Sequence, residues 1–231
     1  MRVAIISDSH GDLEALRAVL EDLGRRAPDA VVVAGDIAQG GPEPAAVVDA
    51  LFELDHPIVR GNSDDFLVQL ANGEPVEPGI PPATLERGRW TVEQLGPERI
   101  RRLAGLPFSF QMPAAANGPL VVVHATPWSN EEVVLADAPD EVAERMAAEA
   151  SAGVLAYGHI HSPYQRRVAD SVLLSVGAIS GSNDVDPRPA YTVLDVGAEI
   201  VVTVVRVEVA RVKPAGAWPV RAPAGSQRWW P

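Results

Sequence analysis

The 231-residue chain has no cysteine. Disulfides, zinc–thiolate sites and a phosphocysteine mechanism are therefore excluded. Lysine is almost missing too: of nineteen basic residues only Lys213 is a lysine. It lacks the glycine-rich context of a phosphate-binding loop, and no Gly-x-Gly-x-x-Gly follows a predicted strand, which removes the common nucleotide-binding folds. No apolar run approaches the length of a membrane span. The four apolar residues 3–6 ahead of Asp8 are far fewer than a signal-peptide core requires. The expectation is a cytoplasmic protein without a membrane partner. Positive charge is scarce as a whole: the formal net charge of −12 repels nucleic acid polymers and anionic surfaces at long range, so no nucleic acid polymer is expected as a partner.

A chain of this length buries a full core as one domain, and a two-sheet α/β architecture fits within it. The pattern predicts a strand over 2–7, then a helix capped by Asp12 with Leu13, Leu16, Leu20 and Leu23 on one face. A strand at 31–34, a helix over 43–54 and a strand at 57–60 complete a β-α-β-α-β run with parallel pairing expected. Residues 73–89 hold Pro75, Pro78, Pro81 and Pro82 among glycines and read as an irregular surface excursion. A helix near 91–104, strands near 107–112 and 119–124, a helix over 139–151 and a strand at 153–157 follow. Beyond residue 164 short alternating runs over 164–169, 172–176, 190–196 and 200–209 read as antiparallel hairpins of a second sheet. The domain is expected to span 1–212. Residues 213–231 form a tail bearing Trp218, Trp229 and Trp230, whose rings are expected to pack on the domain or on a neighbouring subunit of a homo-oligomer.

Four of the five histidines fall in three places: Asp8-Ser9-His10, the strand end at His124, and Gly158-His159-Ile160-His161. The fifth, His56, fits no motif and reads as an exposed loop residue. Between the first two places stand Gly35-Asp36 and Gly61-Asn62-Ser63-Asp64, each just past a predicted strand. The intervals from His10 to Asp36 and from Asp36 to Asn62 are alike, and each accommodates one helix and a return strand. A βαβ chain brings successive strand ends to one edge, so these polar residues are expected to converge there. Residues two apart on an extended segment share a side, which lets Asp8 and His10 grip one ion together, and likewise His159 and His161 if the backbone bends between them. Such clustering points to a metal centre.

In this order the motifs resemble the signature of the calcineurin-like metallophosphoesterase superfamily, Asp-x-His, Gly-Asp, Gly-Asn-His-Asp/Glu, His and Gly-His-x-His. The chain is most similar to the small bacterial and archaeal phosphodiesterase-like branch. Residues 90–95 through Leu106-Pro107, and Asp186-Pro187-Arg188-Pro189-Ala190-Tyr191, also look like segments of that branch. The resemblance covers about residues 1–210 and departs at Ser63, which stands where the family usually has His.

The resemblance implies a four-layer α/β/β/α sandwich of two mixed sheets flanked by helices. It implies that Asp8, His10 and His161 hold one divalent ion, that Asn62, His124 and His159 hold a second, and that Asp36 bridges them. Such mixed ligands suit manganese, iron, nickel, cobalt or zinc without choosing among them. The implied activity is hydrolysis of a phosphate-ester small molecule, phosphodiester or related, by metal-activated water, with Asp36, Asn62, Ser63 and Asp64 catalytic. Two cations would locally reverse the acidic field. Arg60 and Arg188 are candidate phosphate contacts, since guanidinium matches that geometry. Alternatives are a dinucleoside polyphosphate hydrolase, a phosphoprotein phosphatase, or a scaffold that has kept the fold without catalysis. Loss of metal ligands would mark the scaffold, and all seven are present.

Overall fold

The computed structural model describes residues 1–115, 118–197 and 199–209; the tryptophan-bearing tail lies outside them. The chain opens with β1 (Arg2–Ile6), α1 (Leu13–Arg26), β2 (Ala30–Val33), α2 (Pro44–Glu53), α3 (Asn62–Asn72) and α4 (Pro82–Ala104). There follow β3 (Ser109–Ala115), β4 (Gly118–Val123), α5 (Asp140–Ala150), β5 (Val154–Tyr157), β6 (Tyr164–Val168), β7 (Ser171–Ser175), β8 (Ala190–Val196) and β9 (Ile200–Arg206).

Two mixed sheets form, in the orders β2-β1-β8-β9 and β3-β4-β5-β7-β6. Side chains alternate across each strand, and three apolar layers result. Val3, Ile5 and Val32 of the first sheet meet Leu120, Val122, Val154, Ala156 and Leu174 of the second, forming the layer between the sheets. The alternate residues Ala4, Ile6, Val31 and Val33 pack outward against Leu16 and Val19 of α1, Val48 and Leu51 of α2, and Leu95 of α4. On the far side Val121, Leu155 and Tyr157 pack against Ala143 and Met146 of α5. The expected α/β/β/α sandwich is therefore the architecture. Helix α1 starts where anticipated, with Asp12 Oδ1 accepting the Ala15 N–H at 3.0 Å. No helix among the described residues is long and apolar enough to cross a membrane.

Three expectations change. Residues 57–60 make only a bridge, Val33 pairing with Ile58, because Pro57 has no N–H and the Arg60 N–H turns to the Pro107 carbonyl. The irregular stretch ends at Pro81, since Pro82 starts α4 with its fixed φ suited to a first helical turn. That helix seats Gly88 against Phe66 and Leu70 of α3 and breaks at Gly96-Pro97. The late hairpins do not share a sheet. β6 and β7 join β5 in the second sheet, whereas β8 and β9 join β1 in the first. Alternation identifies a hairpin without naming its neighbour.

β1 and β2 run parallel, as do β4, β5 and β7. Their C-terminal ends lie at one edge of the sandwich, where ligands of open α/β sheets bind.

Candidate metal centre

Each motif follows a strand end at that edge. Asp8 and His10 leave β1, Asp36 leaves β2, Asn62 opens α3, His124 follows β4, and His159 and His161 follow β5. All seven side chains are buried. Asp8, His10, Asp36, His159 and His161 adopt positive φ, from 46° to 65°. Non-glycine residues rarely do so, and such strain persists where the surroundings over-determine it, typically at functional sites. Here the determination is visible. The N–H groups of Asp8 and His10 bond to the carbonyls of Gly35 and Asp36, and those of Ile179 and Ser180 to the carbonyls of Ser7 and Asp8. Gly35 and Gly61 permit the closest approach: a Cβ on Gly61 would overlap Asp36, and one on Gly35 would come 2.9 Å from His124 Nδ1.

The rings are oriented by backbone carbonyls. Nδ1 of His10, His124 and His161 lies 2.7 Å from the carbonyl oxygens of Gln39, Ala34 and Gly181, respectively. A carbonyl only accepts, so each Nδ1 carries the proton and each Nε2 faces the centre, the arrangement that outer-shell partners give metal-ligating histidines. His159 is turned the other way, with Nε2 3.2 Å from the Glu131 carbonyl, which leaves Nδ1 as its free ligand atom.

Two groups of ligand atoms result. Asp8, His10 and His161 form one, and Asp8, Asp36 and His124 the other, each within 4.8 Å mutually. His10 Nε2 and His161 Nε2 are 3.1 Å apart, and His124 Nε2 is 2.9 Å from Asn62 Oδ1. Two imidazole lone pairs facing each other at the first of these distances require a proton or a cation between them, and the Asn62 oxygen, as it faces His124, requires the same. Asp36 spans the groups, with Oδ2 3.6 Å from His10 Nε2 and Oδ1 3.4 Å from His124 Nε2. Asp8 Oδ1 is buried without a hydrogen-bond partner. His159 and His161 do not act as a pair: His161 joins Asp8 and His10, while the His159 ring lies edge-on to His124, 5.1 Å between centroids.

Electrostatics agree. Burial works against the carboxylate of Asp8, yet the neighbouring histidines, His161 foremost, hold its pKa below the usual range. Burial also opposes the imidazolium of His124 and of His161, but Asp36 raises the first and Asp8 the second above the ordinary histidine value. His159, buried and beside His124, is pushed down to about 4. The carboxylates thus demand cationic charge, and the donor set of imidazole, carboxylate and amide fits divalent ions.

The profile of the calcineurin-like phosphoesterase superfamily domain matches residues 1–199. The chain belongs to that superfamily. It is similar to an uncharacterised protein of Methanocaldococcus jannaschii, 27% identical over 179 residues that make up 77% of this chain and 69% of the relative. A metallophosphoesterase from Sphaerobacter thermophilus superposes with a TM-score of 0.72 at 28% identity, covering 90% of this chain and 89% of its own. A hypothetical protein from Pyrococcus horikoshii gives 0.78 at 19% identity, over 91% and 89% of the two chains, a likeness of fold alone.

Within this superfamily member the remaining signature residues take distinct positions. Asp64 lies fully buried and accepts three backbone N–H groups, from Asp36 and Gly61 on Oδ2 and from Ile37 on Oδ1. It fixes the loops that carry Asp36 and Asn62. Ser63 donates its backbone N–H to Asp36 Oδ1 at 2.9 Å, and its Oγ is buried without a partner. The two arginines read as phosphate contacts are engaged elsewhere. Arg60 Nε lies 2.6 Å from Asp65 Oδ1. Arg188 grips Asp186 through Nε and Nη2 and Glu208 through Nη1, raising its pKa. Glu208 lies outside every motif, so the spacing carried no sign of its part in this pairing. Nor did it mark the carbonyls of Ala34, Gln39, Glu131 and Gly181, since a backbone acceptor has no sequence signature. His56 lies in a loop, half-buried.

Proposed function

We propose that this protein is a metal-dependent phosphoesterase acting on phosphodiester or related phosphate-ester bonds of a small molecule. One divalent ion would be held by Asp8, His10 and His161, a second by Asn62, His124 and His159, with Asp36 between them. The observation that carries this reading is the convergence of the imidazole lone pairs of His10, His124 and His161 on Asp8 and Asp36, with each tautomer set by a backbone carbonyl. A divalent pair bound there supplies Lewis-acid stabilisation of a phosphoryl group and activates water at neutral pH.

The chain's own residues shape the rest. Asp36 joins the two ligand groups and is itself held by the Ser63 N–H. Ser63 brings a hydroxyl where the family usually has an imidazole. A hydroxyl donates a hydrogen bond but holds its proton too tightly to act as a general acid near neutral pH. The reading therefore favours esters whose leaving group departs unprotonated, such as aryl phosphodiesters or phosphoanhydrides, over alkyl monoesters. The test is a parallel assay of metal-supplemented and chelated protein on an aryl phosphomonoester, an aryl phosphodiester and nucleotides. Metal-dependent hydrolysis strongest on the aryl diester or anhydride is expected, and no metal-dependent turnover of any of them would refute the reading.

A further inference from the structure

The loop after His124 carries a polar group that no part of the reading above uses. It turns at Thr126–Ser129 and runs on to Glu131, whose carbonyl orients His159. Between these points stands Asn130, only 8% exposed. Its Nδ2 lies 3.0 Å from Asp65 Oδ2, in the first turn of α3 and three residues after Asn62. The orientation of the amide follows from chemistry. Asp65 is an anion, with its other oxygen 2.6 Å from Arg60 Nε, so it only accepts, and the Asn130 atom facing it must be the nitrogen. The oxygen, Oδ1, is buried without a partner. A fixed, desolvated acceptor is costly unless something donates to it. Arg60, Asp65 and Asn130 thus form a chain that holds this oxygen between the loop of His124 and the helix of Asn62.

We propose that Asn130 is a specificity-determining residue, whose carboxamide oxygen accepts a hydrogen bond from a hydroxyl on the organic part of the phosphate ester. This rests on the phosphoesterase reading. An ionised phosphoryl group has no donor to offer, so the partner belongs to the organic part, as in a glycerol or sugar ester. Sites built to bond a hydroxyl discriminate strongly against analogues that lack it, because the protein group is then left unpaired.

Two esters test this: 2,3-dihydroxypropyl 4-nitrophenyl phosphate and propyl 4-nitrophenyl phosphate. They share charge and leaving group and differ only in hydroxyls. The parent enzyme should favour the dihydroxy ester in kcat/KM by about tenfold or more, the scale of one buried hydrogen bond. Asn130→Ala should abolish that preference while changing turnover of the propyl ester by no more than about twofold. Asp65→Asn keeps Asn130 but removes the carboxylate that fixes its amide, and it should weaken the preference with metal content unchanged. Calorimetric titration of the metal-loaded protein with glycerol phosphate and with propyl phosphate gives a readout independent of turnover, and Asn130→Ala should erase the difference between them. No preference in the parent enzyme, or an equal loss on both esters in Asn130→Ala, overturns the proposal and leaves a bound water as the partner of Oδ1. If neither ester is hydrolysed, the phosphoesterase reading is decided by the parallel assay on monoester, diester and nucleotides, and the calorimetric comparison still decides the role of Asn130.

Discussion

The carboxylate of Asp64 accepts the backbone N–H of Asp36 at 3.0 Å, although the two acidic side chains repel each other. Burial and the charge of Asp36 push Asp64 up to about 7, against the pull of backbone donors from Gly61 and Ile37. One buried carboxyl thus ties the turn after β2 to the start of α3, the two segments that deliver Asp36 and Asn62.

Replacing Asp64 with alanine should leave those three N–H groups unpaired. A loss of at least about 2 kcal/mol of unfolding free energy is expected, together with reduced metal content, by denaturant titration and elemental analysis. Unchanged stability and metal content would show that the clamp is dispensable.

Asp36→Ala removes a side chain whose two carboxylate oxygens face His10 and His124, one in each ligand group. It should cost more activity than His159→Ala, which touches only the group containing His124. Steady-state kinetics across a metal titration provide the comparison, and equal losses would argue against a shared role for Asp36.

Ser63→His should raise activity on poor leaving groups relative to good ones, by up to about 10²-fold to 10⁴-fold where geometry permits proton donation. The quantity to follow is the ratio of kcat/KM for an alkyl monoester to that for an aryl diester at matched metal occupancy. A ratio that stays flat means the position does not govern leaving-group protonation.

Gly61→Ala alters no ligand, yet its Cβ would collide with Asp36. Metal binding should fall sharply while far-UV circular dichroism is retained. Normal metal affinity in this variant would mean the Asp36 loop can shift without harm.

A pH effect is expected far from the centre. Asp22 accepts hydrogen bonds from Arg26, Tyr191 and Arg25. Against the opposing effect of burial, they hold its pKa down to about 2. A depressed folded-state pKa gives stability that is present above the unfolded value near 4 and is lost as pH falls toward 2. After allowance for solvent screening this amounts to about 1 kcal/mol. Asp22→Asn should be less stable than the parent above pH 4 and show a flatter decline between pH 4 and 2; parallel curves would remove Asp22 as the cause.

Much of the architecture was legible because apolar period and punctuation report local physics. Leu13, Leu16 and Leu23 mark the buried face of α1, and residues 3–6 mark a strand buried on both faces. The motif residues were legible because histidine and aspartate beside glycine at strand ends are conspicuous in a chain with only five histidines. Other features were not. Proline reads as a breaker whether it ends a loop or starts a helix, so the first turns of α4 were hidden. Ion pairing by Arg188 depends on Glu208, twenty residues away, and local pattern does not carry such a distance.

The sequence by itself determined the type of many elements, β1 and α1 among them, the order of the metal-binding motifs and the family, since each depends on residue identity and short spacing. Only the tertiary structure decided which sheet each hairpin joins and which nitrogen each ring presents. It alone also decided that Asn130 keeps a buried free oxygen. These depend on backbone carbonyls and carboxylates brought together by packing across two sheets, and a carbonyl has no residue identity through which a sequence can announce it.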